Sequence, residues 1–178
     1  MITITESGMT FGPFADTHCF QIEGSTLHES AQPGIQIAEF LLVRDGQVNS
    51  PPQVWIVEAK SSTPDPGSPL PGAAETFSAF IEEMRDKLLN ALTLGVTACI
   101  DRHANSGQVL PNAFKGLPLN QTLFRLVLVV NGHKAEWLPP LQDALTQALR
   151  VTSRTWDLGA GSVVVINDAL ARQRGLVA

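Results

Sequence analysis

A chain of 178 residues that is 44% hydrophobic and 16% charged has the composition of a globular domain and excludes a disordered or fibrous chain. At that length one domain over residues 1–178 buries about 70% of the unfolded chain's surface without staples. A net charge of −5 with no run of lysines and arginines argues against tight unaided binding to nucleic acid, so a polyanionic substrate calls for a metal ion, a local basic patch or a partner.

Residues Met1 to Glu6 carry no basic region and no long apolar core, which argues against a secretory signal. No stretch approaches the roughly 18 uninterrupted apolar residues of a spanning helix, so the expectation is a cytoplasmic protein with no membrane contact. Three extended segments follow. His18 to Glu23 alternates weakly, Ile35 to Val43 alternates and then turns fully apolar, and Gln53 to Lys60 reads as a core strand. Gly24 to Gly34 is expected to be a loop, and Arg44-Asp45-Gly46-Gln47 a turn. Short connections of this kind favour an antiparallel meander.

The prolines of Thr63 to Gly72 make a stiff loop directly after Lys60. Phe77, Phe80, Ile81, Met84, Leu88, Ala91 and Gly95 then recur at helical spacing, which predicts one long amphipathic helix with Glu82, Glu83, Arg85 and Asp86 pointing elsewhere. Asn105 to Thr122 reads as an irregular connection. The apolar run Leu123 to Val130 is typical of a strand covered on both faces. Pro139 and Pro140 suit the first turn of a helix with Leu141, Ala144, Leu145, Ala148 and Leu149 as its buried stripe. Ser162 to Ile166 is a last strand, with a short helix from Asp168 to Arg174. The fold class is α/β: a three-strand meander, then helix, strand, helix and strand, forming a mixed sheet flanked by helices.

The chemistry concentrates where the third strand ends. Side chains alternate along a strand, so Val54, Ile56, Glu58 and Lys60 share one face, and Glu39 comes from the neighbouring strand of the meander. Two charged groups at the end of a core strand are costly to desolvate unless they pair or bind something. Hydrolysis of a phosphodiester needs an activated water and a counter-charge, which a divalent ion held by carboxylates supplies. Glu39, Glu58 and the carbonyl of Ala59 are the candidate ligands for Mg²⁺ or Mn²⁺, and Lys60 is the candidate catalytic amine. Ser61, Ser62 and Lys87, the last at the edge of the long helix's buried stripe, are candidate phosphate contacts.

These residues resemble the PD-(D/E)xK nuclease superfamily, the restriction-endonuclease-like fold. The resemblance rests on Glu39 within Ile37-Ala38-Glu39-Phe40-Leu41, on Glu58-Ala59-Lys60-Ser61-Ser62 ending a hydrophobic strand, and on the helix and apolar strand that follow, over roughly residues 17–135. It implies a metal-dependent nuclease acting on DNA, with Glu39, Glu58 and Lys60 catalytic. Glu39 stands where the family more often has aspartate. The family's usual helix before the first strand is not evident, and Glu29 is a further acid on that side. Small size and negative charge point to a homodimer or a protein partner such as an ATPase, helicase or defence-complex subunit.

Blander readings compete. Glu58 and Lys60 also fit a solvated strand end, Glu39 a charge that protects a sheet edge, Lys87 a helix-surface lysine, and Ser61 and Ser62 the start of a turn. A catalytically inactive scaffold or interaction subunit that keeps the nuclease fold is the alternative function. His18, His28, His103 and His133 show no zinc-binding spacing, and Cys19 and Cys99 no CxxC, so two reduced and mostly buried thiols are expected. No GxSxG elbow or phosphate-cradling loop supports an unrelated small-molecule enzyme.

Overall fold

The computed structural model describes residues 1–31, 34–44, 50–104 and 106–178. In chain order the elements are β1 (Ile2–Glu6), β2 (Met9–Phe14), β3 (Cys19–Gln21), α1 (Thr26–Ala31), β4 (Phe40–Arg44), β5 (Gln53–Lys60), α2 (Ala73–Cys99), α3 (Ser106–Val109), α4 (Asn112–Lys115) and β6 (Leu123–Val130). A 3-10 turn (Ala135–Trp137) then leads into α5 (Leu138–Ala148), α6 (Arg150–Thr155), β7 (Val163–Asn167) and α7 (Asp168–Gln173).

A five-stranded sheet in the order β3-β4-β5-β6-β7 forms the centre of the molecule. The first three strands pair antiparallel, and β6 and β7 each add in parallel. The sheet is therefore mixed, as the fully apolar late strands require, because parallel strands need cover on both faces. One face carries Leu41, Val43, Val54, Ile56, Leu126 and Leu128 and packs against the stripes of α2 and α5. The opposite face carries Phe40, Leu42, Trp55, Val57, Val127 and Val129 and is covered by the β1–β2 hairpin and the α7 region. Burying one such aliphatic side chain is worth about 1.5–3 kcal/mol.

Close approach of α2 to β4 depends on one residue. A Cβ at Gly95 would lie 2.8 Å from Leu41 Cδ1, so a larger residue there requires the Leu41 side chain to shift. On the outer edge, Gln142 of α5 donates to the Val163 carbonyl at 3.1 Å and accepts from the Val165 N–H at 2.8 Å. One side chain thereby blunts the open edge of β7.

Several sequence expectations change in detail. The second extended segment is shorter as a strand, so Glu39 lies one residue before β4 and not inside it. The Gly24 to Gly34 loop contains α1, and the stretch after Asn105 contains α3 and α4. The turn expected at Arg44 to Gln47 lies outside the described residues beyond Arg44. The β1–β2 hairpin and α6 were not expected from the sequence. Ser7 and Gly8 take φ values of 51° and 75°, the paired positive angles of a two-residue hairpin turn. Cys19 and Cys99 are free thiols, Cys19 buried and Cys99 partly so. Burial pushes the Cys19 thiol up to about 12. Among the described residues no helix is long and apolar enough to cross a membrane.

Candidate functional site

Register performs the first step of assembly. Phe40 lies opposite Val57, so Glu39 falls opposite Glu58 on the α2 side of the sheet. The Glu39 N–H donates to the Val57 carbonyl at 3.0 Å, its carbonyl accepts from the Glu23 N–H at 3.3 Å, and the Ala38 N–H donates to the Lys87 carbonyl at 3.2 Å. Strand alternation then brings Lys60 to the face of Glu58. From above, α2 contributes Glu83 and Lys87, four positions apart and so on one side of the helix.

The side chains meet in a row in which acids and amines alternate. Lys87 Nζ is 3.9 Å from Glu39 Oε1 and 2.9 Å from Glu58 Oε1. Lys60 Nζ is 3.2 Å from the same Glu58 oxygen and 3.0 Å from Glu83 Oε1. Glu58 is fully buried, whereas the Lys60 and Glu83 side chains retain 25% and 37% of their exposure. The row therefore runs from a sealed interior at Glu39 and Glu58 to solvent at Lys60 and Glu83. Glu58 Oε2 is buried and has no hydrogen-bond partner among the described residues.

Electrostatics divides the two acids. Burial pushes the Glu39 carboxyl up to about 9, helped by its hydrogen bond to Glu23 and by the charges of Glu58, Glu23 and Glu6. Glu39 is accordingly protonated at neutral pH. Burial also raises Glu58, against the opposing pull of Lys87 and Lys60. Burial works to lower Lys60, but its bonds to Glu83 and Glu58 outweigh it and leave the ammonium above the ordinary lysine value.

Sequence reasoning brought Glu39, Glu58 and Lys60 to one place, and Lys87 joins them at the buried end instead of standing on the helix surface. The solvated-strand-end reading of Glu58 does not hold, because the residue is enclosed. Glu83 does not point elsewhere but closes on Lys60; its spacing of four from Lys87 is the signal that identifies it. Glu29 is exposed on α1 and is not among the acids acting on Glu39, whereas Glu23 and Glu6 are. Ser61 and Ser62 are exposed and line a cleft of about 500 Å³ beyond Lys60, together with Phe77, His133, Trp137 and Leu141. The Ala59 carbonyl accepts from Ser7 Oγ at 3.1 Å, which leaves one of its two lone pairs available.

The donor set suits a hard divalent ion in kind: two carboxylates, one with an orphaned buried oxygen, and a partly free carbonyl. It is sparse in number. Among the described residues no group of three or more His, Cys, Asp and Glu side chains is arranged to hold a metal ion, so any bound ion must keep waters, as Mg²⁺ does. Comparison of the chain with protein-family models, with curated proteins and with solved structures gave no match, and the side chains of this cluster carry the functional reading.

Proposed function

We propose that the chain is a Mg²⁺- or Mn²⁺-dependent nuclease of the restriction-endonuclease-like type that hydrolyses DNA phosphodiester bonds. The observation that carries this reading is the buried Oε2 of Glu58, which has no hydrogen-bond partner among the described residues, beside Glu39 and two lysines. A purely structural ion pair is expected to satisfy both carboxylate oxygens, since a buried polar atom left unpaired costs about 1–3 kcal/mol. The three-strand meander followed by a helix and a parallel strand supports the fold assignment within the proposal.

Glu39, Glu58 and the Ala59 carbonyl would hold the ion, with Glu39 losing its proton as it becomes a ligand. A bound divalent ion supplies an acidified water and Lewis-acid neutralisation of the phosphoryl oxygens. Lys60, raised and tied to Glu83, is an ammonium at neutral pH and acts as a donor. It orients the attacking water by hydrogen bonding and stabilises negative charge as it builds on the phosphoryl group, and it is not the proton acceptor. Ser61 and Ser62 present hydroxyl donors along the cleft through which a strand would approach.

Incubation of the purified chain with plasmid and single-stranded DNA, in Mg²⁺ or Mn²⁺ and then EDTA, tests the reading. Cleavage that EDTA abolishes and that Lys60→Ala reduces about 10²–10³-fold is expected. A scaffold or interaction subunit is the second reading, favoured by the pairing of Lys87 and Lys60 with the one Glu58 oxygen. Absence of cleavage by the chain, alone and with candidate ATPase or helicase partners, would select it.

A further inference from the structure

The opposite end of β5 carries an arrangement that the nuclease reading does not use. Arg44 closes β4 opposite Gln53, and Arg125 lies beside Trp55 in the β5–β6 ladder. Alternation places Arg44, Gln53, Trp55 and Arg125 on the sheet face away from α2, and the chain after α7 brings Arg174 to the same concavity of about 470 Å³. Gln53 and Lys60 are the two ends of β5, roughly 23 Å apart along a strand. This place is therefore separate in end and in face from the carboxylate cluster.

Three guanidinium groups gather there. Among the described residues no carboxylate pairs with Arg44, Arg125 or Arg174, although the protein as a whole carries a charge of −5. Two of the three are held in place by neutral groups. Arg44 Nη1 donates to the Arg174 carbonyl at 2.8 Å, and its guanidinium sits 4.7 Å from the Trp55 ring centre. Arg125 Nε donates to Gln53 Oε1 at 3.2 Å and its Nη1 to the Gly161 carbonyl at 2.7 Å. Gln53 Oε1 also accepts from Trp55 Nε1 at 3.1 Å, which fixes the amide that aims Arg125. Burial, and then the neighbouring charge of Arg174, pull the Arg44 guanidinium below its ordinary value. Each guanidinium has five N–H donors, so these bonds leave most of the donors of Arg44 and Arg125 unused.

We propose that this concavity binds a multiply charged, phosphate-bearing anion, supplied either by a free polyphosphate or by a nucleic-acid backbone. One carboxylate would leave two of the three cations uncompensated, whereas phosphate groups carry more charge and match the guanidinium fork with two parallel bonds. The forks of Arg44 and Arg125 are already ordered by Trp55, Gln53 and backbone carbonyls, so binding loses little of their side-chain freedom.

The test titrates the full chain with inorganic pyrophosphate, followed by thermal shift, and with labelled single- and double-stranded oligonucleotides, followed by anisotropy. Arg174→Gln is the principal variant, because its side chain is exposed and makes no hydrogen bond among the described residues, and Arg125→Gln is the second. Pyrophosphate is expected to raise the melting temperature of the wild type and of Lys60→Ala, and to bind at least tenfold more weakly to both arginine variants. Oligonucleotide binding with the same arginine dependence, and a salt slope shallower by about 0.7–0.9 per arginine removed, assigns the backbone as the source. Pyrophosphate binding alone assigns a free polyphosphate. Binding of neither, or binding undiminished in both arginine variants, overturns the proposal.

Discussion

The two ends of β5 solve the problem of charge in opposite ways. At the Lys60 end, acids and amines alternate in a row under α2, and the charges are largely compensated but enclosed. At the Gln53 end, charges of one sign are held on an open face by an indole, an amide and backbone carbonyls. Compensation permits burial, and burial is what shifts Glu39. The other end is more open, and among the described residues its arginines have no carboxylate partner. A strand that is apolar along its length and polar only at its ends presents both environments at once.

Removing one partner from the enclosed row is expected to have the largest effect. Lys87→Met leaves Glu58 with Lys60 as its one cation, and breaking a buried pair from one side costs about 3–5 kcal/mol. Urea denaturation should show that loss, and the double variant Lys87→Met with Glu58→Met should recover much of it. A loss below about 1 kcal/mol would mean that the row is effectively solvated and that the contrast between the ends is false.

A smaller and opposite effect is expected at Glu39. Its folded-state value of about 9 lies above the ordinary 4.5, so the native state holds a proton between those values that the unfolded chain has released. Stability therefore falls as pH rises through that window. Glu39→Gln keeps a hydrogen-bonding group and removes the titration. It should stabilise the protein by roughly 1–3 kcal/mol near pH 8 and flatten the decline of melting temperature between pH 5 and 9. The same variant should lose DNA cleavage, so a stability gain paired with lost activity marks a residue kept for function. A destabilised Glu39→Gln would contradict this account of the acid. At the open end, Arg174→Gln should leave stability unchanged within about 0.5 kcal/mol, which completes the contrast.

Much of the enclosed row is legible in the chain because short-range rules position it. The run Val54 to Val57 defines a strand, alternation puts Glu58 and Lys60 together, and a short connection makes the strand of Glu39 its neighbour. Pro139 and Pro140 start α5 at its observed position, and the apolar run 123–130 is the doubly covered β6. What escaped has two kinds of cause. The N-terminal hairpin is signalled by the alternation of Ile2 and Ile4 and by the Ser7-Gly8 turn, and it is this hairpin that brings Glu6 and Ser7 to the site. Helical periodicity places Glu83 on the outer face of α2, but its direction depends on where Lys60 reaches, which periodicity does not contain. The arginine concavity is illegible for a stronger reason. Arg44, Arg125 and Arg174 come from distant parts of the chain, and sheet register together with the path after α7 is what joins them.

Calorimetric titration of the purified chain with Mn²⁺ near pH 7.5 asks directly whether Glu39 and Glu58 together hold a divalent cation. Saturable binding at one site per chain is expected, lost in Glu58→Gln and in Glu39→Gln while both variants remain folded. Absence of binding by the wild type, or binding that persists in both variants, would contradict it.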